Sequence, residues 1–358
     1  MANQPRITRL VVSVVSAAVV IGFFAWYFPT NFGPTDTGLF AQAMFIGVAA
    51  MGLNLLTGYN GQVSIGHGAF FGIGAYTTAL MMDHDYKWLG ISFGHTSFLA
   101  TLPAVAIISF VIGALVGFPA LRVKGLYLAL VTLGLAVIFP DLASRFVKGT
   151  GGTSLVALNG IEVAAPHWFA KDFPSLAAQD QWAYTMAFLG ALIGLALAWA
   201  LVRSRFGRSL IAVRDHEAAA TSVGINIART KVLAFALSAM YAGIAGSLSV
   251  LVVQNASGDD KLVTFQLSIE FLVAVVIGGT ATVFGPMIGG FAVVYIQNWA
   301  TKAFPGTPVV SPATYGIVLI VLMYVLPDGA VGGIRRLRTW GGRTLRSRRR
   351  STASPARL

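Results

Sequence analysis

Residues 203–231 read RSRFGRSLIAVRDHEAAATSVGINIARTK and lie between two long apolar runs. The stretch carries six Lys or Arg residues against two acidic residues, Asp215 and Glu217. It is too polar to cross a bilayer and too long for a tight turn, and cationic loops between membrane spans stay on the cytoplasmic side. Residues 203–230, termed the basic segment below, are therefore predicted to form a cytoplasmic helical platform that presents itself to a soluble partner.

The composition of the 358-residue chain is that of a multi-pass membrane protein. Hydrophobic residues make up 56% and charged residues 11% of it, whereas a soluble chain carries about 25% charged residues. The net charge of +12 comes mainly from the N-terminus, the basic segment and the C-terminal tail. This distribution indicates membrane orientation and contact with anionic lipid headgroups rather than nucleic-acid binding. The absence of cysteine excludes disulfides and cysteine-ligated metals.

Apolar runs of about 20 residues, bounded by Pro, Gly, aromatic or charged positions, predict the transmembrane helices. Ten are expected, near 8–28, 38–57, 63–82, 98–120, 125–146, 183–202, 231–253, 265–281, 286–303 and 313–326. With a cytoplasmic N-terminus, this even count leaves the basic segment and the C-terminal tail inside and most acidic residues outside. The predicted fold class is an all-α transmembrane bundle with both termini cytoplasmic. The uncharged connection at 57–62 leaves open a broken or re-entrant element there.

A polar, glycine-rich stretch follows the second predicted span. Its polar side chains stand among apolar residues: Asn54, Asn60, Gln62, Ser64 and His67. Residues 58–61 predict a helix break, with a new helix from near Gln62. The free N–H groups and positive dipole end of such a helix can hold a carboxylate within the membrane. A translocation pathway is one interpretation and close helix packing is the other, because glycines accompany the break: Gly58, Gly61, Gly66, Gly68 and Gly72.

Two carboxylates lie within apolar runs, Asp141 after Pro140 and Glu270 in the run 267–279. An ionised carboxylate at mid-membrane costs about 2.5–3.5 kcal/mol on insertion scales, so each needs a partner or a function. Glu270 is a candidate pathway residue. For both residues, recognition of a substrate ammonium, a proton step, an interhelical hydrogen bond and placement near the membrane interface stay open.

The sequence has no enzyme signature. A Walker A loop is absent, and His216-Glu217 does not complete an H-E-x-x-H zinc motif because the fifth position is Ala220. The five histidines are scattered along the chain. We therefore predict no catalytic residue and no metal site.

Residues 214–224 combine helix formers with a glycine stop, which predicts a short surface helix. The alanines at 218–220 present no bulky side chains, so this helix can seat in a groove on a partner. An ordinary amphipathic interfacial helix is the alternative.

Four blocks of the sequence resemble the LivM-type permeases of branched-chain amino acid ABC importers. They are 54–76, 123–134, 204–220 with 224–226, and 267–279 with 285–286. In this superfamily a Glu-Ala-Ala…Gly segment couples to the ATPase. Here four residues separate Ala219 from Gly224, one more than in the general motif. The coupling residues that the resemblance implies are Arg214, Asp215, His216, Glu217, Ala218, Ala219 and Gly224.

The resemblance also implies an assembly in the bacterial inner membrane. Its other members would be a second related permease, two cytoplasmic ATPases that bind ATP and Mg²⁺, and a periplasmic or extracellular substrate-binding protein. Residues 1–330 would form the permease domain, without a cofactor of its own, and residues 331–358 a disordered basic tail. The implied cargo is branched-chain amino acids. Urea, short amides or aromatic acids as cargo, or an ion-coupled secondary transporter, are the alternatives.

Overall fold

The described part of the chain is almost entirely helical. The computed structural model describes residues 22, 33–82, 87–88, 91–92, 97–120, 126–146, 175–253, 265–303, 310–325 and 329–333. The predicted first span at 8–28, apart from Gly22, and the tail after residue 333 lie outside these residues. Residues 329–333 form a helical turn across the predicted domain boundary at 330.

The helices among the described residues are numbered in chain order. In the first half they are α1 (Pro34–Asn54), α2 (His67–Met82), α3 (Phe98–Ala120) and α4 (Leu126–Phe146), and the π-helical turn Leu55–Tyr59 continues α1. In the second half they are α5 (Ser175–Arg203), α6 (Arg205–Asp215), α7 (Glu217–Ser222), α8 (Ile227–Val253), α9 (Phe265–Gly278), α10 (Gly285–Ala303) and α11 (Val310–Val325). The small departure from the all-α prediction is an antiparallel pair, β1 (Lys87–Trp88) with β2 (Ile91–Ser92).

The predicted span limits agree best where charge or proline bounds the apolar run. Helices α3 and α4 match the predictions 98–120 and 125–146 within a residue, whereas α5 starts at Ser175, well before the predicted residue 183. Among the described residues, four helical stretches are long and apolar enough to cross a membrane: Thr35–Tyr59, Phe98–Pro119, Gln179–Arg203 and Ile227–Val252. The count of ten spans and the orientation of the termini stay predictions.

The prediction for the third span, 63–82, is wrong at its start. Residues 61–66 are not helical, and α2 begins only at His67. Residues 55–66 are termed the broken element below. It comprises the π-helical turn, a turn at Asn60 and the irregular segment that leads to α2.

Helices α1 and α8 form the centre of the bundle. In their most apolar 18-residue stretches 83% and 78% of the residues are buried, against 22% and 28% in α3 and α5, so α3 and α5 lie at the periphery of the bundle. Helix α8 packs against α1, α2, α3 and α5, and α1 also packs against α10. The two central helices approach closely at Gly52, where an added Cβ would lie 2.6 Å from Tyr241 Cβ and 2.7 Å from the Ser238 carbonyl oxygen.

Several connections between helices meet at one end of the bundle. The broken element contacts Arg214 of α6, and the α9–α10 connection contacts both Asn54 and Gly58. An added Cβ at Gly329 would also meet the backbone of Gly279. Spans that alternate in direction place these connections on the same side. Helix α10 starts at this end, so Lys302, 17 residues after Gly285, lies about 26 Å away along the helix axis.

Glycine-to-alanine substitutions test the packing of α1 on α8. We expect Gly52→Ala to cost about 1–3 kcal/mol, because the added methyl group overpacks the contact with Tyr241 and Ser238. Gly134→Ala is the matched control, since Gly134 lies in α4 with no atom within 4 Å of an added Cβ, and it should be neutral or stabilise by up to about 1 kcal/mol. The thermal unfolding midpoint of the purified protein in detergent measures both. Equal midpoints for the two variants would contradict the close contact.

Cysteine labelling tests the two ends of the bundle on a natural background, because the chain has no cysteine. Ser222→Cys places a thiol on the exposed side of α7 and Lys302→Cys places one on the exposed end of α10. We expect a membrane-impermeant maleimide to label Lys302→Cys in intact cells and Ser222→Cys only in inverted vesicles. Labelling of both from one face would contradict their placement at opposite ends.

Candidate functional site

The broken element lies where the second predicted span ends and the third begins. The π-helical turn Leu55–Tyr59 is largely buried, and Gly61 follows with φ +74°, a conformation that favours glycine. The break predicted at 58–61 is thus present. The expected restart of the helix near Gln62 is wrong, because the chain runs on without helical structure to His67.

Helix α2 begins deep inside the bundle. Nε2 of His67, the first residue of α2, lies 2.6 Å from Ser238 Oγ. Ser238 is 11 residues after Ile227, the first residue of α8, which is about 16 Å along that helix. The irregular segment 61–66 therefore leads from the end of the bundle to its interior, where α2 starts.

Side chains from other helices satisfy the backbone around this start. Gly68 N–H donates to Ser268 Oγ of α9 at 2.8 Å, and Ile65 N–H donates to Thr132 Oγ1 of α4 at 3.0 Å. Ala69 N–H donates to the Gly66 carbonyl at 3.1 Å. Two N–H groups of the first turn are therefore already paired in this arrangement. The carboxylate site expected there stays a prediction that requires their release.

Ser238 connects three helices through one hydroxyl group. Its Oγ donates to the Gly52 carbonyl of α1 at 2.5 Å and also lies beside His67 Nε2 of α2. Ser238 itself belongs to α8 and is fully buried. Ser238 thus links α8 to both helices that flank the broken element.

Asn54 joins the broken element to the connection between α9 and α10. Its Nδ2 donates to the Thr282 carbonyl at 2.7 Å, and its Oδ1 accepts from Ala281 N–H at 2.9 Å. Both groups of the side-chain amide are used, and Asn54 is buried. The structure therefore assigns Asn54 a clamping role, and contact with a substrate stays a prediction.

Some polar atoms of the predicted pathway are buried without a partner among the described residues. They are Asn60 Nδ2 and Oδ1, Gln62 Oε1 and His67 Nδ1. Ser64, which is also buried, lies 3.4 Å from Gly66 N–H through its Oγ. An unpaired buried polar group costs about 1–3 kcal/mol. Their grouping along residues 60–67 is the feature of the broken element that packing alone does not explain.

The glycines of the predicted packing set have different roles. An added Cβ at Gly58 would lie 2.6 Å from Ala281 N, and one at Gly66 would meet the backbone of Thr132. Gly68 and Gly72 are buried within α2. The tight approach of α2 to α8 occurs nearby, where Gly74 faces the Gly243 backbone. The sequence signal for that contact is Gly243 with Gly246, which lie outside the glycines predicted at 58–72.

The basic segment forms two short helices rather than one. Ser204 caps α6 by accepting from Gly207 N–H at 3.2 Å, and α6 buries Leu210 and Val213 while Arg205 and Arg208 are exposed. His216 interrupts the helix with an extended backbone (φ −160°, ψ 103°). Its Nδ1 then caps α7 by accepting from Ala219 N–H at 3.3 Å. The short surface helix predicted within 214–224 is present as α7, but it begins only at Glu217, because His216 ends α6 and starts α7.

Helix α7 ends at Ser222, two residues before Gly224, the glycine that predicts its end. Gly224 has φ +84°, and the next N–H, from Ile225, donates to the Ala220 carbonyl at 3.0 Å. This arrangement pairs a carbonyl at the helix end. Ala218 and Ala219 are exposed on α7, and Val223 just after it is 76% exposed, whereas Ala220 is buried. Ala220 therefore packs inward and does not belong to the outward surface, contrary to the expectation for 218–220.

Two ionic side chains fix the basic segment to the bundle. Glu217 Oε1 lies 2.6 Å from Lys231 Nζ in the first turns of α8, and this lysine is 12% exposed. Arg214 Nη1 donates to the Gly58 carbonyl at 2.9 Å, and Asp215 pairs with the same guanidinium at 2.9 Å. The sequence predicts Arg214 as part of the coupling segment and carries no signal for its contact with Gly58.

The two carboxylates predicted within apolar runs belong to α9 and α4. Glu270 of α9 accepts from Gln266 Nε2 at 3.4 Å and from the Gln297 side chain of α10, so it takes part in an interhelical hydrogen bond. Asp141 lies on the exposed side of α4. Among the described residues, no group of three or more His, Asp or Glu side chains is arranged to hold a metal ion.

Comparison with known proteins agrees with this architecture. The family profile described as "Branched-chain amino acid transport system / permease component" matches residues 37–327. The high-affinity branched-chain amino acid transport system permease protein LivM of Salmonella typhimurium is 31% identical over 297 residues, which cover 77% of this chain and 66% of LivM. LivM of Escherichia coli has the same identity and shares. LivH of Escherichia coli is 25% identical over 308 residues, which cover 82% of this chain and 96% of LivH.

No solved structure matches the chain, so the assignment stands on the family profile and on these relatives. The profile covers all described helices from α2 to α11 and nearly all of α1. The chain belongs to the permease component family of branched-chain amino acid transport systems and is similar to its LivM members.

Proposed function

We propose that this chain is a pore-forming permease subunit of a binding-protein-dependent ABC importer in the bacterial inner membrane. It moves branched-chain amino acids into the cytoplasm with energy from ATP that partner ATPases hydrolyse. A second, related permease subunit completes the pathway, a periplasmic or extracellular binding protein delivers the cargo, and ATP and Mg²⁺ bind to the ATPases. The basic segment faces the cytoplasm, and its arginines also contact anionic lipid headgroups.

The observation that carries this proposal is the exposed surface of α7 together with its attachment to the bundle. Ala218, Ala219 and Val223 face outward with little side-chain bulk, which suits insertion into a groove on a partner. On the other side, Glu217 is paired with Lys231 at 2.6 Å. A force applied to α7 thus reaches α8, the central helix of the bundle.

The contacts of α8 carry that force to the pathway. Ser238 of α8 binds the Gly52 carbonyl and His67 Nε2, so a shift of α8 changes the position of α1 and of the α2 start. The unpaired polar atoms of Asn60, Gln62 and His67 lie along the segment between those helices. They offer hydrogen bonds to the charged ends of a passing amino acid, while the apolar helices accommodate its aliphatic side chain.

Uptake of leucine by proteoliposomes tests the proposal. The complex that co-purifies with this chain is reconstituted with ATP inside and the binding protein outside, and uptake of radiolabelled leucine, urea and benzoate is compared. We expect leucine uptake that needs both ATP and the binding protein. ATP-driven uptake of urea or benzoate without uptake of leucine would keep the importer role and replace branched-chain amino acids as its cargo. Uptake without ATPases, driven by a proton or sodium gradient, would contradict the importer and indicate a secondary transporter.

Bulk at the α7 surface tests the docking role of the basic segment. Ala219→Trp adds a large side chain to the exposed face without an internal contact to break, and we expect it to abolish co-purification of the ATPases and ATP-driven uptake. Ala196→Trp is the control, since Ala196 lies on the exposed face of α5 outside the basic segment, and it should keep both. An Ala219→Trp complex with its ATPases bound and full uptake would exclude α7 as the docking surface.

A further inference from the structure

Arg214 makes a direct side-chain bond between the basic segment and the broken element. Its Nη1 donates to the Gly58 carbonyl at 2.9 Å across 156 residues of sequence. Gly58 lies in the π-helical turn Leu55–Tyr59, where the last carbonyls of the helix lack the N–H partners of a continuing helix. A cation there also faces the negative end of the α1 dipole. Arg214 therefore binds the end of α1 at the point where the helical structure is interrupted.

The neighbouring residues fix the guanidinium in this position. Asp215 Oδ1 accepts from Arg214 Nε and pairs with Nη2, each at 2.9 Å, which leaves Nη1 directed to Gly58. Gly61 provides the space, because an added Cβ there would lie 2.9 Å from Arg214 Cγ. The planar guanidinium serves both partners at once, and a lysine ammonium on a flexible stem does not reproduce that geometry.

The position of Arg214 at the junction of α6 and α7 allows movement of α7 to reach this contact. Arg214 lies in the last turn of α6, and His216, two residues later, is the extended residue between α6 and α7. Movement of α7 therefore acts first on the end of α6 that carries Arg214. The Glu217–Lys231 pair leads from the same place to α8, so two separate connections leave the α6–α7 junction. The Arg214 connection bonds to the broken element itself, at the Gly58 carbonyl.

We propose that Arg214 is a positioning residue that passes the motion of the ATPase-bound segment to the broken element and so controls its opening. This inference rests on the proposed function, because it requires an ATPase on α7. Arg214 itself touches neither ATP nor cargo in this scheme. Its loss should separate ATP hydrolysis from transport, since the ATPases stay docked on α7 while the broken element no longer follows them.

The experiment compares Arg214→Gln and Arg214→Lys with the parent complex in proteoliposomes. Co-purification of the ATPases, ATP hydrolysis and leucine uptake are measured on the same preparation. For Arg214→Gln we expect retained ATPases, retained hydrolysis and uptake lower by about tenfold, within the usual range of coupling between sites. Arg214→Lys should recover uptake only in part. Lys302→Gln removes one exposed positive charge at the far end of α10 and should behave as the parent.

A second variant separates this role from a loss of folding. Asparagine tolerates a positive φ better than other residues with a side chain, so Gly61→Asn keeps the turn but places its Cβ against Arg214. We expect Gly61→Asn to reproduce the uncoupled hydrolysis of Arg214→Gln while Arg214 is intact.

The outcomes distinguish this inference from the proposed function. Parent-like uptake by Arg214→Gln would overturn the inference and leave the importer untouched. Loss of the ATPases from Arg214→Gln would also overturn it, because Arg214 would then be a docking residue. Loss of hydrolysis with the ATPases still bound would overturn it too, since the contact with Gly58 lies beyond the ATPase. A parent complex without any ATPase would instead contradict the proposed function.

Discussion

The structure depends on how the backbone N–H and carbonyl groups of an interrupted helix find hydrogen-bond partners inside an apolar bundle. Within lipid every backbone N–H and carbonyl group needs an internal partner, and the broken element removes several helical ones. Ser268, Thr132 and Arg214 replace them with side-chain donors and acceptors from α9, α4 and α6. Because each replacement comes from a different helix, the break can exist only if these helices keep their relative positions. The interruption thus makes the whole bundle sensitive to movement of any one of them.

The basic segment is attached to that arrangement at two places with different neighbours. Arg214 contacts the end of α1, and Glu217 contacts the start of α8. The two contacts lie on opposite sides of His216 along the chain, and the extended backbone of His216 separates α6 from α7. An exposed ion pair contributes little to stability, but Lys231 is largely buried and Arg214 bonds to a carbonyl. The segment is therefore placed as a fixed part of the bundle rather than as a loose loop.

Much of the fold could be predicted from the sequence, and the limits of that prediction have physical reasons. Composition and apolar run length place α3, α4 and α8, because lipid-spanning helices must be long and apolar. The start of α2 at His67 could not be predicted, since no residue type within 61–66 marks where the helix restarts, and tertiary partners such as Thr132 accompany the irregular backbone there. The division at His216 and the burial of Ala220 likewise follow from tertiary contacts. The place where the helix is interrupted could be predicted from Gly58 and Gly61. Ser238 and Ser268, which hydrogen-bond to residues on either side of the interruption, could not be predicted, because serine in an apolar run carries no positional signal.

Two interruptions of helical structure face each other, and one side chain joins them. The α9–α10 connection includes Ala281 with φ 56°, an uncommon conformation for a residue with a Cβ, and such strain, of order 1–3 kcal/mol, persists only where the surroundings impose it. Asn54 at the end of α1 supplies that constraint by accepting from Ala281 N–H and donating to the Thr282 carbonyl. Gly58 lies so close to Ala281 that a side chain would not fit. Because Asn54 and Gly58 both contact Ala281, the α9–α10 connection packs directly against the start of the interruption, and Arg214 bonds to the same Gly58.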